Sequence, residues 1–413
     1  MSAPKIIGAV LISLILFISL CVFGVALSVK TTALNVSYVA SLVDDIPVTE
    51  ILEEAQKQEN ITDSEKFDII KGLVANNEAP LKQQITLFIT EIYDYLNSKS
   101  DTINLNQLLG DTILNADFVI SMLESSDLKP LLEYYIKSII RDYGLPAGLL
   151  VDDYLDDIAA DIEPWAKEQA ALIIPPALDY ILGNSDTFEV TVSIEGLKDA
   201  LKDNLKQSFL SALPQEFRGL TRTVLGKIFD NLFEQASADI PSSITIDEEF
   251  FDSENGESMR IDLSEYEQNL LETRDGIKIF NIAFILLIVL ILLLIAGIIL
   301  IHRSIKWSAL NLGVVSFIYG AVTMVFYLSS IWLIRNAVEQ NEIAFNPVIR
   351  DWLVQVSTGA LFPLQILFIV FIIIGIALLA TFFVYNRRQP LDTASIYSDT
   401  AEYREADINR PFE

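Results

Sequence analysis

The sequence predicts an all-α membrane protein with four transmembrane helices and a predominantly α-helical extracytoplasmic domain that contains a small β element. Three observations carry this prediction. Four long apolar runs each reach the roughly 20 residues that a helix needs to cross a bilayer. Between the first two runs lies a long acidic segment whose apolar residues recur at helical spacing. Two short stretches of that segment alternate with the period of a β-strand.

The first apolar run, 6–29, is flanked by Lys5 and Lys30. It is too long for the apolar core of a cleaved signal peptide, which is usually about 7–15 residues, so we interpret it as an uncleaved transmembrane helix. The remaining predicted transmembrane helices are 277–301, 310–334 and 361–385.

Small residues are spaced by four around the third predicted span, at Ala309/Gly313 and Ser316/Gly320. This spacing lets two helix backbones approach closely. We therefore expect the third span to pack against its neighbours. No Asp, Glu, Lys or Arg lies inside the apolar runs 6–29, 282–301, 310–334 and 361–385, which disfavours a pump or coupled transporter.

Basic residues near the span ends predict the orientation. The short loop 335–360 carries Arg335 and Arg350, whereas the opposite side carries Lys5, Arg303, Lys306, Arg387 and Arg388. This bias predicts a plasma-membrane protein with the N-terminus (1–5), the loop 302–309 and the tail 386–413 in the cytoplasm. The segment 30–276 and the loop 335–360 would then lie outside.

Charge and composition exclude several classes of function. The chain has 56 acidic and 28 basic residues, and 28–276 alone holds 47 acidic and 18 basic residues, a difference of −29. Such a domain repels phosphate, so we expect no nucleic-acid partner. One cysteine, Cys21, and one histidine, His302, exclude cysteine-based zinc sites and sites that need two imidazoles. We assign no catalytic and no cofactor-binding residue.

Several segments of 30–276 have clear local patterns. Val151, Leu155, Ile158, Ile162 and Trp165 fall on one face of a predicted helix. The opposite, solvent-facing arc of this helix holds the acidic residues Asp152, Asp153, Asp156, Asp157 and Glu163.

Other patterns predict a helix cap, a pair of strands and a helical stalk in this domain. Thr62 and Glu65 form a candidate capping box. The stretches 187–193 and 243–246 alternate, so they can pair as strands. From Leu263 a helical pattern runs through Gly276 toward the second span, which predicts a stalk.

Acidic residues also suggest a site for a hard cation. Asp252, Glu254 and Glu257 surround an Asn-Gly turn, but the glycine misses the register of an EF-hand loop. Our hypotheses for this segment are an acidic linker and a low-affinity divalent-cation site. The carboxylates on the helix that begins near Asp152 diverge, which favours a solvated face.

Three further residue types are candidates for a role at the surface or the bilayer. Asn35 and Asn60 begin glycosylation sequons. Trp352 lies in an amphipathic stretch of the loop 335–360 and is a candidate anchor at the membrane interface. His302 follows the second apolar run, where an interfacial polar role is expected.

The leading functional hypothesis is a non-catalytic cell-surface protein whose acidic helical domain binds a protein or envelope partner, with the four spans in the lipid bilayer. The order of one span, a large domain and three spans also suits a permease-like or accessory subunit of an export or mechanotransmission complex driven by a separate ATPase. A carboxylate-dependent envelope hydrolase is the third hypothesis, because abundant acids can supply an acid–base pair.

Overall fold

A computed structural model describes residues 3–58, 64–142, 152–211, 221–238, 240–250, 260–340 and 347–387. This part of the chain is helical apart from two strands, one 3₁₀ turn and the connecting segments. It divides into two compact units. Unit 1 comprises Met1–Asn35, Ile279–Glu342 and Val354–Glu413, and unit 2 comprises Val36–Lys278 and Ile343–Leu353.

The elements follow one another in chain order, with the sheet near the middle. The helices before the first strand are α1 (Ala3–Thr31), α2 (Val36–Asp44), α3 (Val48–Gln58), α4 (Ser64–Asn76), α5 (Glu78–Leu96), α6 (Leu105–Asp111), α7 (Ala116–Ser125), α8 (Lys129–Asp142) and α9 (Asp152–Ile181). The remaining elements are β1 (Glu189–Ser193), α10 (Glu195–Ser211), α11 (Arg222–Ser237), β2 (Ser243–Asp247), α12 (Ser264–His302), α13 (Ile305–Gln340), α14 (Pro347–Gly359) and α15 (Phe362–Arg387).

Among the described residues, four segments are long and apolar enough to cross a membrane: Ile7–Thr31, Ser264–His302, Ile305–Val338 and Pro347–Tyr385. The prediction of four membrane-spanning helices is confirmed at this level. The helices run beyond the apolar runs, because backbone hydrogen bonding continues into polar flanks that composition alone separates from a span. Their apolar surfaces are compatible with contact to a lipid bilayer.

Unit 1 has a core formed by α1, α12 and α13, with Phe371 of α15 packed against it. Tyr319, which is 1% exposed, stacks edge-on against Phe371 with ring centroids 4.7 Å apart. The buried members of this core are Leu16, Leu20, Ile291, Ile298, Val315 and Tyr319.

Glycines set the close approach of α13 and α15. A Cβ at Gly320 would lie 2.7 Å from Ile372 Cγ1 and 2.9 Å from the Ile372 amide nitrogen, and one at Gly375 would lie 2.8 Å from the Phe317 amide nitrogen. Only hydrogen fits at these distances, so the backbones can pack directly. The prediction that the small residues of the third span form a packing face is confirmed for Gly313 and Gly320.

In unit 2 the two alternating stretches form the predicted pair of strands. β1 and β2 are antiparallel, with Thr191 opposite Thr245. The sheet packs on the C-terminal half of α9 through a small core of Ala177, Tyr180 and Phe188, of which Phe188 is 1% exposed.

Two features of α9 differ from the sequence pattern. The pattern ends at Trp165, whereas the helix continues to Ile181 with Pro164, Pro175 and Pro176 inside it. Each proline removes one backbone donor, but burial of Ala177 and Tyr180 against the sheet holds the later turns in place. The prediction that Glu163 lies on the solvent-facing arc is wrong, because only 15% of its side chain is exposed.

The stalk pattern appears as one uninterrupted helix. α12 runs from Ser264 through Gly276 to His302, so the same helix contributes residues to both units. The predicted capping residue Thr62 lies outside the described residues, and α4 begins at Ser64.

Candidate functional site

Two concavities on unit 2 lie along α4, on either side of Leu73. We call them together the α4 cleft and define it by two lobes that share Leu73. Its polar lobe has a volume of about 610 Å³ and is lined between α4 and α8 by Asp68, Gly72, Asn76, Asp127, Glu133 and Lys137, among others.

The apolar lobe has a volume of about 260 Å³ and lies between α4, the start of α5 and α7. It is lined chiefly by Ile70, Leu73, Val74, Leu81, Val119 and Leu123. Small-molecule sites usually measure about 300–1,000 Å³, so this lobe suits a few inserted side chains better than a cofactor.

Helical periodicity explains why α4 lines both lobes. Asp68, Gly72 and Asn76 are spaced by four and therefore share one face, which belongs to the polar lobe. Ile70, Leu73 and Val74 lie on a neighbouring face, which belongs to the apolar lobe. A Cβ at Gly72 would meet nothing within 4 Å, so this position is an open part of the polar lobe.

A buried hydrogen-bond network forms the base of the apolar lobe. Asn77 Nδ2 donates to Leu73 O at 2.9 Å and to Ser126 Oγ at 2.9 Å, while Ser126 Oγ donates to Met122 O at 2.7 Å. Asn77 and Ser126 are 8% and 6% exposed. Because these buried polar groups have partners, the network ties the end of α4 to the end of α7.

A second polar cluster ties α9 to the turn between α7 and α8. Lys167 Nζ donates to Glu124 O at 3.0 Å and to Ser126 O at 2.7 Å, and it lies 2.8 Å from Glu163 Oε1. The Leu128 amide donates to the same Glu163 oxygen at 3.2 Å.

The pKa of Glu163 reflects these contacts. Partial burial raises the pKa, but the hydrogen bonds from Lys167 and from the Leu128 amide outweigh it. The pKa therefore lies below the usual value, and the carboxylate is held ionised.

The charges around the polar lobe are unevenly matched. Lys137 lies 3.5 Å from Glu133, so this pair is internally compensated. Within the described ranges, Asp68 and Asp127 form no ion pair, and Asp127 Oδ1 accepts only the Lys129 amide at 3.1 Å. Since both aspartates are exposed, the lobe presents uncompensated negative charge to solvent.

A separate set of contacts fastens the first turns of α12 to α5 and α6. The Arg274 guanidinium donates to Ser98 Oγ, Asp101 O and Ser100 O at 3.3, 3.1 and 2.9 Å, and it lies 4.6 Å from the centre of the Tyr95 ring. Arg274 is 8% exposed, which is rare for an arginine.

Glu267 adds a contact two helical turns earlier. Its Oε1 accepts the Leu105 amide at 2.7 Å, at the first turn of α6. We call these two groups of contacts the α12 clamp. Beside them lies a third, apolar pocket of about 350 Å³, whose lining includes Phe88, Ile92 and Tyr266.

The residues proposed from sequence do not come together in one place. Asp252, Glu254, Glu257 and Asn60 lie outside the described residues. No group of three or more His, Cys, Asp or Glu side chains in the described ranges is arranged to hold a metal ion. Asn35 is exposed just before α2. Trp352 lies in α14, and its indole nitrogen is buried without a hydrogen-bond partner among the described residues.

His302 belongs to a polar cluster in unit 1. Its Nε2 lies 3.1 Å from Asn311 Nδ2, and Asn311 Oδ1 lies 2.8 Å from Ser13 Oγ. Ser13 has one proton and also contacts Ala9 O at 2.7 Å. When Ser13 donates its proton to Ala9 O, the Asn311 side chain with its amide oxygen and nitrogen exchanged can donate to Ser13 Oγ and accept from His302 Nε2–H.

Sequence reasoning missed the residues that build the α4 cleft. The only local signal is the Glu163–Lys167 spacing of four, which is favourable on a helix. Asn77, Ser126 and Arg274 carry no signal of their own, because the contacts that join them to other elements are with residues distant in sequence. Comparisons with protein-family models, curated proteins and solved structures found no match.

Proposed function

We propose that this chain is a multi-pass protein of the plasma membrane, with both termini in the cytoplasm, whose acidic helical domain lies outside. In this proposal the domain binds a protein or envelope partner in the α4 cleft without catalysing a reaction. The observation that carries the proposal is an open cleft whose apolar lobe is anchored by the Asn77–Ser126 network. Apolar concavities on a firm base are typical of partner-binding grooves.

The charge of the domain also supports this proposal. An excess of carboxylates keeps an exposed domain soluble, and it favours association with partners of opposite sign. The −29 difference in 28–276 is far larger than solubility requires for a small domain, for which a net charge of about 2–8 suffices.

Site-specific photo-crosslinking in native membranes tests the proposal. A photoreactive amino acid at Ile70, on the rim of the apolar lobe, is expected to capture one discrete partner. The matched control is Leu172, which is 56% exposed on α9 and lies away from the cleft lining. Leu123→Glu, which places a carboxylate in the apolar lobe that Ile70 also lines, should abolish the product formed at Ile70. Equal products at both positions, or products that Leu123→Glu leaves unchanged, would contradict binding in the cleft.

The second candidate function is a subunit of an export or mechanotransmission complex. The observation that favours it is α12, because one unbroken helix is fastened by the α12 clamp in unit 2 and packs in the core of unit 1. Purification in mild detergent tests this candidate. A stoichiometric ATPase that is lost on Arg303→Ala or Lys306→Ala favours it, whereas purification without an ATPase contradicts it.

A further inference from the structure

The α4 cleft has the chemistry to select one class of partner. Helix-in-groove recognition places the apolar face of an amphipathic helix in a hydrophobic groove and leaves its polar face at the rim. In this chain the apolar lobe and the uncompensated carboxylates of the polar lobe lie on two sides of the same helix, α4. A ligand that spans both lobes must therefore have an apolar face beside a charged one.

The sign of that charge follows from the pairs around the cleft. Of the charged residues that line the polar lobe, Lys137 forms an ion pair with Glu133 at 3.5 Å. Among the described residues, Asp68 and Asp127 have no such partner. The charges left for a ligand are therefore carboxylates.

We propose that the α4 cleft binds a cationic amphipathic helix of a partner protein, with aliphatic side chains in the apolar lobe and Lys or Arg side chains opposite Asp68 and Asp127. This inference rests on the proposed function and narrows it to one partner chemistry. The apolar lobe supplies affinity, while the aspartates favour the cationic partner and accelerate its association. An anionic helix of the same shape is disfavoured by like-charge repulsion.

Two synthetic peptides test the inference on the purified full-length protein. Each is an amphipathic helix of about 18 residues, or five turns, with leucine on one face and either lysine or glutamate on the other. Binding is measured by fluorescence anisotropy. The lysine peptide should bind at least about tenfold more tightly than the glutamate peptide, equal to about 1.4 kcal/mol. Its affinity should fall as salt is added, because exposed charges are screened.

Matched variants separate binding in the cleft from general attraction to an acidic surface. Gly72→Trp should weaken binding of the lysine peptide at least about tenfold. Its control is Gly276→Trp, because Gly276 is also a helical glycine at which an added Cβ would meet nothing within 4 Å. Asp68→Asn with Asp127→Asn should reduce both affinity and salt dependence, whereas the exposed pair Asp156→Asn with Asp157→Asn should not. Circular dichroism melts confirm that each variant is folded.

Each outcome has a defined meaning. If Gly72→Trp and Gly276→Trp affect binding of the lysine peptide equally, the cleft is not its binding site and the inference is wrong. If the glutamate peptide binds as tightly as the lysine peptide, and Gly72→Trp weakens its binding, the cleft binds helices but the proposed charge of the partner is wrong. The proposed function then stands. The crosslinking at Ile70 judges the proposed function separately, because it does not depend on the peptide chosen.

Discussion

At the scale of single residues, Glu163 connects α9 to the turn between α7 and α8. It accepts the Leu128 amide and pairs with Lys167, which in turn holds the Glu124 and Ser126 carbonyls. These contacts fix the turn between α7 and α8, which borders both lobes of the α4 cleft. We therefore expect substitutions at Glu163 to affect the cleft although its side chain does not line it.

Glu163→Gln should lower the stability of unit 2 by about 1–3 kcal/mol, because it removes a charge-assisted hydrogen bond to Lys167 in a partly buried site. The pKa of Glu163 is lowered on folding, so its contribution is fully present above the unfolded-state pKa of about 4.3. That contribution is lost as the pH falls through the lower folded-state pKa. Thermal melts of the purified protein from neutral to acidic pH measure this difference.

The variant should show a smaller loss of melting temperature on acidification than the wild type. Asp157→Asn is the matched control, because Asp157 is exposed on the same helix and forms no ion pair among the described residues. Equal pH profiles for wild type and Glu163→Gln would show that this carboxylate does not stabilise the fold.

At the scale of elements, helix packing and helix docking depend on different residues. In the membrane-spanning unit, glycines let α13 and α15 approach to backbone contact. In unit 2, the first turns of α12 are fastened by a buried arginine and a carboxylate rather than by a large apolar contact. Each case gives a substitution with an unexpected effect. For the glycines, helix propensity predicts the opposite sign, and for the arginine, conserved charge predicts no change.

Gly320→Ala should destabilise the α13–α15 pair by about 1–3 kcal/mol, since the added methyl group overlaps Ile372 and forces the helices apart. Helix propensity alone predicts the opposite sign, a gain of about 1 kcal/mol. Gly8→Ala is the control within α1, where a Cβ meets nothing within 4 Å. Detergent unfolding followed by tryptophan fluorescence measures both variants. A stabilised Gly320→Ala protein would contradict the close packing.

Arg274→Lys should loosen the α12 clamp, because an ammonium cannot reproduce the several directed hydrogen bonds of the planar guanidinium. We expect a loss of about 1.5–3 kcal/mol, the usual contribution of hydrogen bonds to a charged group. Amide hydrogen exchange should increase from Ser98 to Leu105. Asp101→Ala is the control, since its carboxylate is fully exposed and 3.6 Å from Arg274. Unchanged exchange in Arg274→Lys would show that the clamp is not stabilising.

At the scale of the whole molecule, the orientation in the membrane is a prediction from charge distribution alone. Single cysteines added to a Cys21→Ser protein test it with an impermeant maleimide in intact cells. Gln83, which is exposed on α5, serves as the reporter for the proposed outer domain. Gln83→Cys should react in intact cells and Ser395→Cys only after lysis. The reverse labelling pattern would show that the predicted orientation in the membrane is wrong.

Apolar length and local periodicity in the sequence are enough to identify the candidate spans, α9 and the two strands of this protein. Apolar length identifies the four candidate spans, helical spacing identifies α9 and α12, and alternation identifies the two strands that pair as β1 and β2. These patterns are readable because each element buries one face of its own residues. The spacing of small residues by four, at Ala309/Gly313 and Ser316/Gly320, also predicted a packing face, and Gly313 and Gly320 lie in it.

The positions of the cleft and the clamp depend instead on tertiary packing. Leu128 and Glu163 are 35 residues apart, and Ser100 and Arg274 are 174 residues apart. No local sequence pattern indicates which acidic residue is buried on folding and contacts a residue distant in sequence. In the sequence Glu163 differs from Asp157 by a lysine four residues later, whereas the burial of Glu163 and its contact with the Leu128 amide arise only in the fold. The difference arises because hydrogen bonding and desolvation depend on the groups that packing brings within about 3 Å.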